Sequence, residues 1–290
     1  MNGLRVELNY QMNTRENFER DLEFSGADFE RIRKLIYSSA GIALNDSKQQ
    51  MAYSRLSRRV RATGAGSFHE YLNRLEASRD SSEWQEFINS LTTNLTYFFR
   101  EQHHFPVLEE FVRKHLKENP KPPRVWCSAA STGEEPYSIA MTVAEAGAPQ
   151  AKIIATDIDT NVLAQADRGV YKLETVQSVE NKLLRKYFLK GSGDNAGLVR
   201  IRPELRQMLV FRQTNLLEDS WAIRSNDPFD VIFCRNVMIY FDKPTQKNIL
   251  QKFAQVLKPG GLLFAGHSEN FSDSGAPFRL QGKTVYERIS

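Results

Sequence analysis

The chain has 290 residues, of which 41% are hydrophobic and 26% charged, the composition of an ordinary globular protein. No apolar run approaches the roughly 20 residues needed to cross a bilayer and no charged-then-apolar leader opens the sequence, so a cytoplasmic protein without direct membrane insertion is expected. The formal charge of +4 is too small to imply nucleic acid by itself, and the two cysteines, Cys127 and Cys234, lie in apolar strand-like runs that predict buried free thiols, not a disulfide or metal site.

Residues 1–20 are polar and predict a poorly ordered tail, and residues 21–92 read as a helical domain. Ser25 and Asp28 form a capping pair ahead of Phe29, Ile32, Leu35 and Ile36, which repeat on one face. A second helix is predicted from Asp46 to Ala62, stopping at Gly64. A third opens at Ser67 with Glu70 in the capping-box position, and a fourth carries Trp84, Phe87, Ile88 and Leu91. Residues 31–61 hold Arg31, Arg33, Lys34, Lys48, Arg55, Arg58, Arg59 and Arg61 against Asp46 alone. On a helix Lys48, Arg55 and Arg59 fall within about 40° of one another, with Arg58 nearby, while Leu56 and Val60 point elsewhere. Such a stripe is either a solvated face or a docking surface for an acidic partner.

Residues 93–123 are expected to link this domain to a second one over 124–290, where strands alternate with helices. Predicted strands are Val125–Ser128, Ile153–Thr156, Leu209–Gln213, Val231–Cys234 and Leu262–Ala265, an α/β pattern with a mostly parallel sheet. Phe278–Leu280 and Thr284–Arg288 flank a hairpin turn at Gln281-Gly282-Lys283, so the sheet is expected to end antiparallel. The roughly 40 residues between Asp167 and Leu209 are too many for a plain connection. A helical stretch, Val179 to Phe188, a glycine-rich turn and the alternating run Leu198–Arg202 predict an inserted antiparallel β-subdomain at about 189–208, with an edge able to add a peptide strand.

The chemistry concentrates at the predicted strand ends. Val125 to Cys127 runs into the small-residue turn Ser128-Ala129-Ala130-Ser131-Thr132-Gly133, which opens a helix at Glu134-Glu135. This strand, turn and helix binds nucleotides in parallel sheets, normally through bare amides that attract phosphate. Two carboxylates there repel phosphate and favour hydroxyls or a cation, a demand that S-adenosylmethionine meets; equally, they could only complement the helix end. Asp157, past the second strand, is placed to accept sugar hydroxyls, and Asp159 could instead cap the next helix. Arg235-Asn236 and Tyr240 follow the fourth strand. His103 and His104 are adjacent, and successive helical residues point about 100° apart, so no shared metal site is expected.

Four segments together carry a family resemblance: Thr92-Thr93-Asn94-Leu95-Thr96-Tyr97-Phe98-Phe99-Arg100, Ser131-Thr132-Gly133-Glu134-Glu135-Pro136-Tyr137-Ser138, Cys234-Arg235-Asn236-Val237-Met238-Ile239-Tyr240-Phe241 and Gly266-His267-Ser268-Glu269-Asn270. They resemble the CheR family of bacterial chemoreceptor glutamate O-methyltransferases, over nearly the whole chain from about residue 22. The resemblance implies a class I S-adenosylmethionine-dependent methyltransferase fold, Rossmann-like, behind the helical domain. It implies that Asn94, Thr96, Arg100, Glu135, Asp157, Asn215, Leu216, Arg235 and Asn236 line the S-adenosylmethionine site, with S-adenosylhomocysteine as product. Arg100 and Tyr240 are the expected placers of the acceptor, while Glu135 faces the donor and Glu134 serves the helix end.

By the same resemblance Lys48, Arg55, Arg58 and Arg59 dock receptor methylation helices, and the β-subdomain captures a receptor tail peptide. A glutamate of pKa about 4.3 is already ionised at pH 7, so no general base or metal is expected. No Asn/Asp-Pro-Pro-aromatic motif and no strand-end cysteine nucleophile appears, which counts against a nucleic-acid methyltransferase. Retention of the strand-end set counts against a donor-binding sensor without activity. A monomer acting on receptors is the expectation.

Overall fold

The computed structural model describes residues 22–79, 81–223, 227–271 and 275–289; the tail expected over 1–20 lies outside them. Contacts divide the chain into two compact units, one formed by the residues through Leu35 together with Leu44–Leu91, the other by Ile36–Ala43 and the residues from Thr92 onward.

The first unit is built from α1 (Gly26–Ala40, whose last turn clusters with the second unit), α2 (Gln49–Ala62), α3 (Phe68–Ala77) and α4 (Ser82–Leu91). The Ser25 and Asp28 pair closes reciprocally: Asp28 N–H donates to Ser25 Oγ at 3.1 Å and Ser25 N–H to Asp28 Oδ2 at 3.0 Å. At α3 the box opens by one residue, since Glu70 N–H donates to Ser67 Oγ while the Glu70 carboxylate accepts from Gly66 N–H at 2.8 Å. The predicted second helix begins as a single 3₁₀ turn, Asp46–Lys48, before α2 proper. Phe29, Ile32, Leu56, Val60 and Phe87, singled out by periodicity, make the buried interior together with Phe68 and Leu72 of α3.

The second unit carries a seven-stranded sheet. Its strands are β1 (Val125–Cys127), β2 (Ile153–Asp157), β6 (Leu209–Gln213), β7 (Phe229–Cys234), β8 (Leu257–Ala265), β9 (Phe278–Gly282) and β10 (Val285–Arg288), in the order β6-β2-β1-β7-β8-β10-β9. The first five in that order run parallel, and β10 and β9 close the edge antiparallel. β1 and β7 are buried along their whole length, as expected of parallel strands covered on both faces. On one side lie α5 (His104–Glu118) and α6 (Glu134–Glu145), packed on Val125, Cys127 and Phe233. On the other, Trp126 meets Trp221 at 4.9 Å and Phe253 of α10 (Lys243–Val256) at 5.3 Å, and its indole N–H donates to Thr156. Burying one such aromatic stabilises by roughly 1.5–3 kcal/mol. Because β2 lies on one side of β1 and β7 on the other, the strand order reverses at β1, and a crevice opens past the carboxyl ends there.

A separate three-stranded antiparallel sheet, order β3-β5-β4, uses β3 (Val170–Lys172), β4 (Phe188–Lys190) and β5 (Leu198–Ile201). It recruits β3, which the sequence reading left inside the connection, and the remaining helices α7 (Thr160–Arg168), α8 (Asn181–Tyr187) and α9 (Pro203–Arg206) surround it in sequence. Phe98 packs edge-on against Tyr171 and Phe188 at 5.0 and 5.6 Å, so the segment before α5 is anchored to this sheet. Among the described residues no helix is long and apolar enough to cross a membrane.

Candidate functional site

The turn after β1 is shaped by its single glycine. Gly133 caps α6 at φ 101°, and a Cβ there would meet Tyr171 Oη at 2.6 Å and Ala166 Cβ at 2.9 Å. Ser131 also adopts a positive φ, 48°, and its hydroxyl donates to the Asn94 carbonyl, so the turn is stitched to the segment carrying Asn94 and Thr96. Both acids that follow are buried. Glu134 accepts from Thr132 Oγ1 at 2.6 Å, and burial pushes its carboxyl up.

The β2 end separates the two aspartates. Asp159 is buried and caps α7, accepting from Asn161 and Val162 N–H, while its other oxygen accepts from Thr92 Oγ1 at 2.7 Å and Asn94 Nδ2 at 2.8 Å. Asp157 accepts Ser131 N–H at 2.8 Å on one oxygen and Asp159 N–H at 3.0 Å on the other. Burial nevertheless raises its carboxyl to about 6, those backbone donors opposing the shift. It remains partly exposed at the strand end, with lone pairs available to ligand hydroxyls.

A charged knot lies under the crevice. The Arg235 side chain is fully buried; Nη1 donates to Glu135 Oε2 at 2.6 Å and Nη2 to the Arg100 carbonyl, with Glu101 Oε2 3.5 Å away. Glu135 also accepts from Cys127 Sγ, so both of its oxygens face protein groups; burial raises its carboxyl and Arg235 opposes that. Asn236, at φ 57°, donates through its backbone to Glu269 and through Nδ2 to Glu101 Oε1. A side chain at Gly266 would strike Asn236 Nδ2 at 2.4 Å, so this approach requires glycine.

The expected placers are poised differently. Arg100 donates to the Leu95 carbonyl at 2.8 Å and lies over the Tyr97 ring, and among the described residues it forms no ion pair. Tyr240 is half-exposed; its carbonyl accepts Ala43 N–H, and its hydroxyl has no partner among the described residues. Asn215 is held by Ser39 O and Leu217 N–H, and Leu216 is buried.

Two sequence readings change. His103 and His104 do not diverge: their rings lie 4.3 Å apart, because His103 precedes α5 as its cap, and with Glu101 they offer ligand atoms within 4.8 Å. Burial, helped by the nearby Arg235 guanidinium, holds His104 down to about 4. Its Nε2–H donates to the Lys283 carbonyl at 3.0 Å. The basic stripe is also thinner than a charge count suggests. Arg59 pairs with Glu83 and Glu86, and Arg55 donates to the Leu91 carbonyl, whereas Lys48 and Arg58 are exposed.

Sequence reasoning missed Glu101 and undervalued Glu269. Glu269 is buried and accepts Asn236 N–H at 3.1 Å and Met238 N–H at 2.8 Å, fixing the loop that leads to Tyr240. The signal available was its place four residues after Ala265, the last residue of β8, inside a segment already singled out. In sum, hydroxyl-accepting and amide groups, with one buried guanidinium, gather at the ends of β1, β2 and β7; the turns there contain no lysine. The set fits a ligand bearing hydroxyls and a cation better than one bearing phosphate.

Comparison with known proteins gives the same direction. Residues 94–286 match the family model described as CheR methyltransferase, SAM binding domain, and residues 27–92 match CheR methyltransferase, all-alpha domain. The chain is 54% identical to a chemotaxis protein methyltransferase of Salmonella typhimurium, covering 91% of each. It is 53% identical to the one of Escherichia coli, covering 91% of this chain and 92% of that one. With chemotaxis protein methyltransferase 2 of Pseudomonas aeruginosa it shares 51%, over 92% of this chain and 95% of the other.

Proposed function

Because the chain belongs to the CheR methyltransferase family, it is an S-adenosylmethionine-dependent methyltransferase, and we propose that it esterifies glutamate side chains of bacterial chemoreceptors during chemotaxis adaptation, in the cytoplasm. The observation that supports this most is Asp157, held by two backbone N–H groups at the β2 end beside a turn without lysine. S-adenosylmethionine, when bound, supplies a methyl group on a sulfonium and leaves as S-adenosylhomocysteine.

In the mechanism that follows, the acceptor carboxylate, ionised at pH 7, forms the new C–O bond as the C–S bond breaks, so no proton moves and no metal is required. The chain's task is alignment and exclusion of water. Asp157 receives the donor's hydroxyls, while Asn94, Thr96, Asn215, Leu216, Arg235 and Asn236 line its site. Glu135 shapes that site through Arg235. Arg100, with no ion pair among the described residues, draws the acceptor carboxylate, and the Tyr240 hydroxyl, likewise without a partner among them, orients it.

Purified chain, labelled S-adenosylmethionine and receptor cytoplasmic fragments should yield base-labile glutamyl methyl esters. Equal labelling of nucleic acid, or none of receptor, refutes the reading. Fragments truncated at the receptor's C-terminal tail should react more slowly if that peptide adds a strand to an edge of the small sheet; equal rates remove that part of the reading. Lys48 and Arg58 form the exposed part of the docking stripe. Their joint reversal to Glu should lower receptor methylation about tenfold with donor affinity unchanged, since two charge pairs of roughly 0.5–1 kcal/mol each are lost and replaced by repulsion. A matching fall in donor affinity would make the stripe merely structural. Reversing Arg59 is less informative, because it also breaks the pairs with Glu83 and Glu86.

A further inference from the structure

We propose that Glu101 is a positioning residue for donor binding, its carboxylate holding three loops of the crevice in one arrangement. The inference rests on the function proposed above. Glu101 Oε1 accepts from Asn236 Nδ2 at 3.3 Å, His267 N–H at 3.1 Å and His267 Nδ1 at 3.2 Å. Its second oxygen faces Arg235 at 3.5 Å. One side chain therefore joins the segment that carries Arg100, the loop after β7 and the loop after β8.

The backbone supports the same assignment. Phe99 and Glu101 both sit at φ 55°, a left-handed conformation unusual for residues with side chains. The conformation is maintained by Phe99 N–H donating to Ser138 Oγ at 2.9 Å, by Phe98 in the core and by the Glu101 contacts themselves. Such strain is kept where surrounding structure over-determines it, and sites of function are where it collects. The Glu101 side chain is only 9% exposed, yet its donors are a side-chain amide and the backbone and ring of a residue whose side chain is 71% exposed. A carboxylate serving the core alone has no reason to reach the crevice rim. Glu101 is assigned contact with neither reacting group; it acts through Asn236 and Arg235, which the function proposed above assigns to the donor site.

The test uses the full chain and S-adenosylhomocysteine, titrated calorimetrically into Glu101→Gln, Glu101→Asp, Asn236→Ala and the Glu101→Gln/Asn236→Ala double variant. Glu101→Gln, which places an amide against Arg235, should weaken binding at least tenfold; Glu101→Asp, which keeps the charge but shortens the reach, should fall between it and the unaltered chain. In the Asn236→Ala background Glu101→Gln should cost less than threefold, because the larger share of its effect passes through Asn236. Unchanged affinity in folded variants, or losses that multiply in full, would overturn the assignment. Loss of the native near-ultraviolet spectrum in both Glu101 variants would also overturn it, by making the residue a folding element. Failure of the unaltered chain to methylate receptors would refute the proposed function alone, since the coupling here is read on binding.

Discussion

Replacing Arg235 by alanine should destabilise the protein by about 3–5 kcal/mol and abolish measurable donor binding, the first read from urea unfolding at pH 7 and the second by calorimetry. The magnitude follows from burial. Arg235 is fully enclosed, as are Glu135 and Glu101 to within a tenth of their side chains, so removing the cation strands two carboxylates out of water. An exposed pair would contribute no more than about 1 kcal/mol, and a loss that small would show that the knot is not what holds this face together. Neutralising the partner as well, as Arg235→Met with Glu135→Gln, should recover part of the loss, because an apolar pair leaves fewer buried charges uncompensated. The pH dependence has a definite sign. Burial already raises Glu135, and without Arg235 the carboxyl rises further. A carboxyl raised in the folded state binds its proton more tightly there than in the unfolded chain. The deficit of the alanine variant should therefore be smaller at pH 5 than at pH 8.

Asp157 should give the donor site a titration near pH 6. Its carboxyl is raised to about 6 by burial, and ligand hydroxyls need the ionised form. Affinity for S-adenosylhomocysteine should accordingly fall about tenfold between pH 7 and pH 5, with proton release on binding in that window. Asp157→Asn should weaken binding at pH 7 by about 10–100-fold, the worth of hydrogen bonds to a charged acceptor, and flatten the profile between pH 5 and 7. For the ligand-free protein the sign is opposite to that of a salt-bridged aspartate. The raised group favours the folded state most below its unfolded pKa, and that contribution is lost as pH rises through about 6. The asparagine variant should thus unfold at a higher temperature than the parent at pH 8 while binding worse. A donor affinity independent of pH in the unaltered chain would remove Asp157 from the site.

Much of the candidate site was legible because its first members are local. A turn of small residues between an apolar run and a helix, and an acid just past the next strand, are short-range patterns tied to the parallel sheet. The sequence reading chose Asp157, nearest the strand end, for the ligand hydroxyls and gave Asp159 to the cap of the next helix. In the structure Asp159 does cap that helix, accepting from Asn161, Val162, Thr92 and Asn94, and Asp157 stays partly exposed at the strand end. Glu134 and Glu135 read equally as ligand groups or as complements to a helix end, and the sequence carried no sign that both would be buried. The basic stripe was over-counted for a related reason. Arg59 is neutralised by acids 24 and 27 residues away, which no helical wheel of its own helix contains.

By itself, then, the sequence determined the helical front, the alternating strands with their antiparallel end, the presence of an inserted small sheet, though not its strand β3, and the residues at the strand ends. Each of these follows from spacing of two or 3.6 residues, from caps and from turns, all properties of neighbours along the chain. Only the tertiary structure decided which acids are enclosed and paired and which stay partly exposed at a strand end. Arg235 meets Glu135 across 100 residues, Glu101 meets Asn236 across 135 and His267 across 166. A buried charge is tolerable only where the fold supplies its counter-charge, and pairings over such separations are fixed by strand order and register, not by any local pattern.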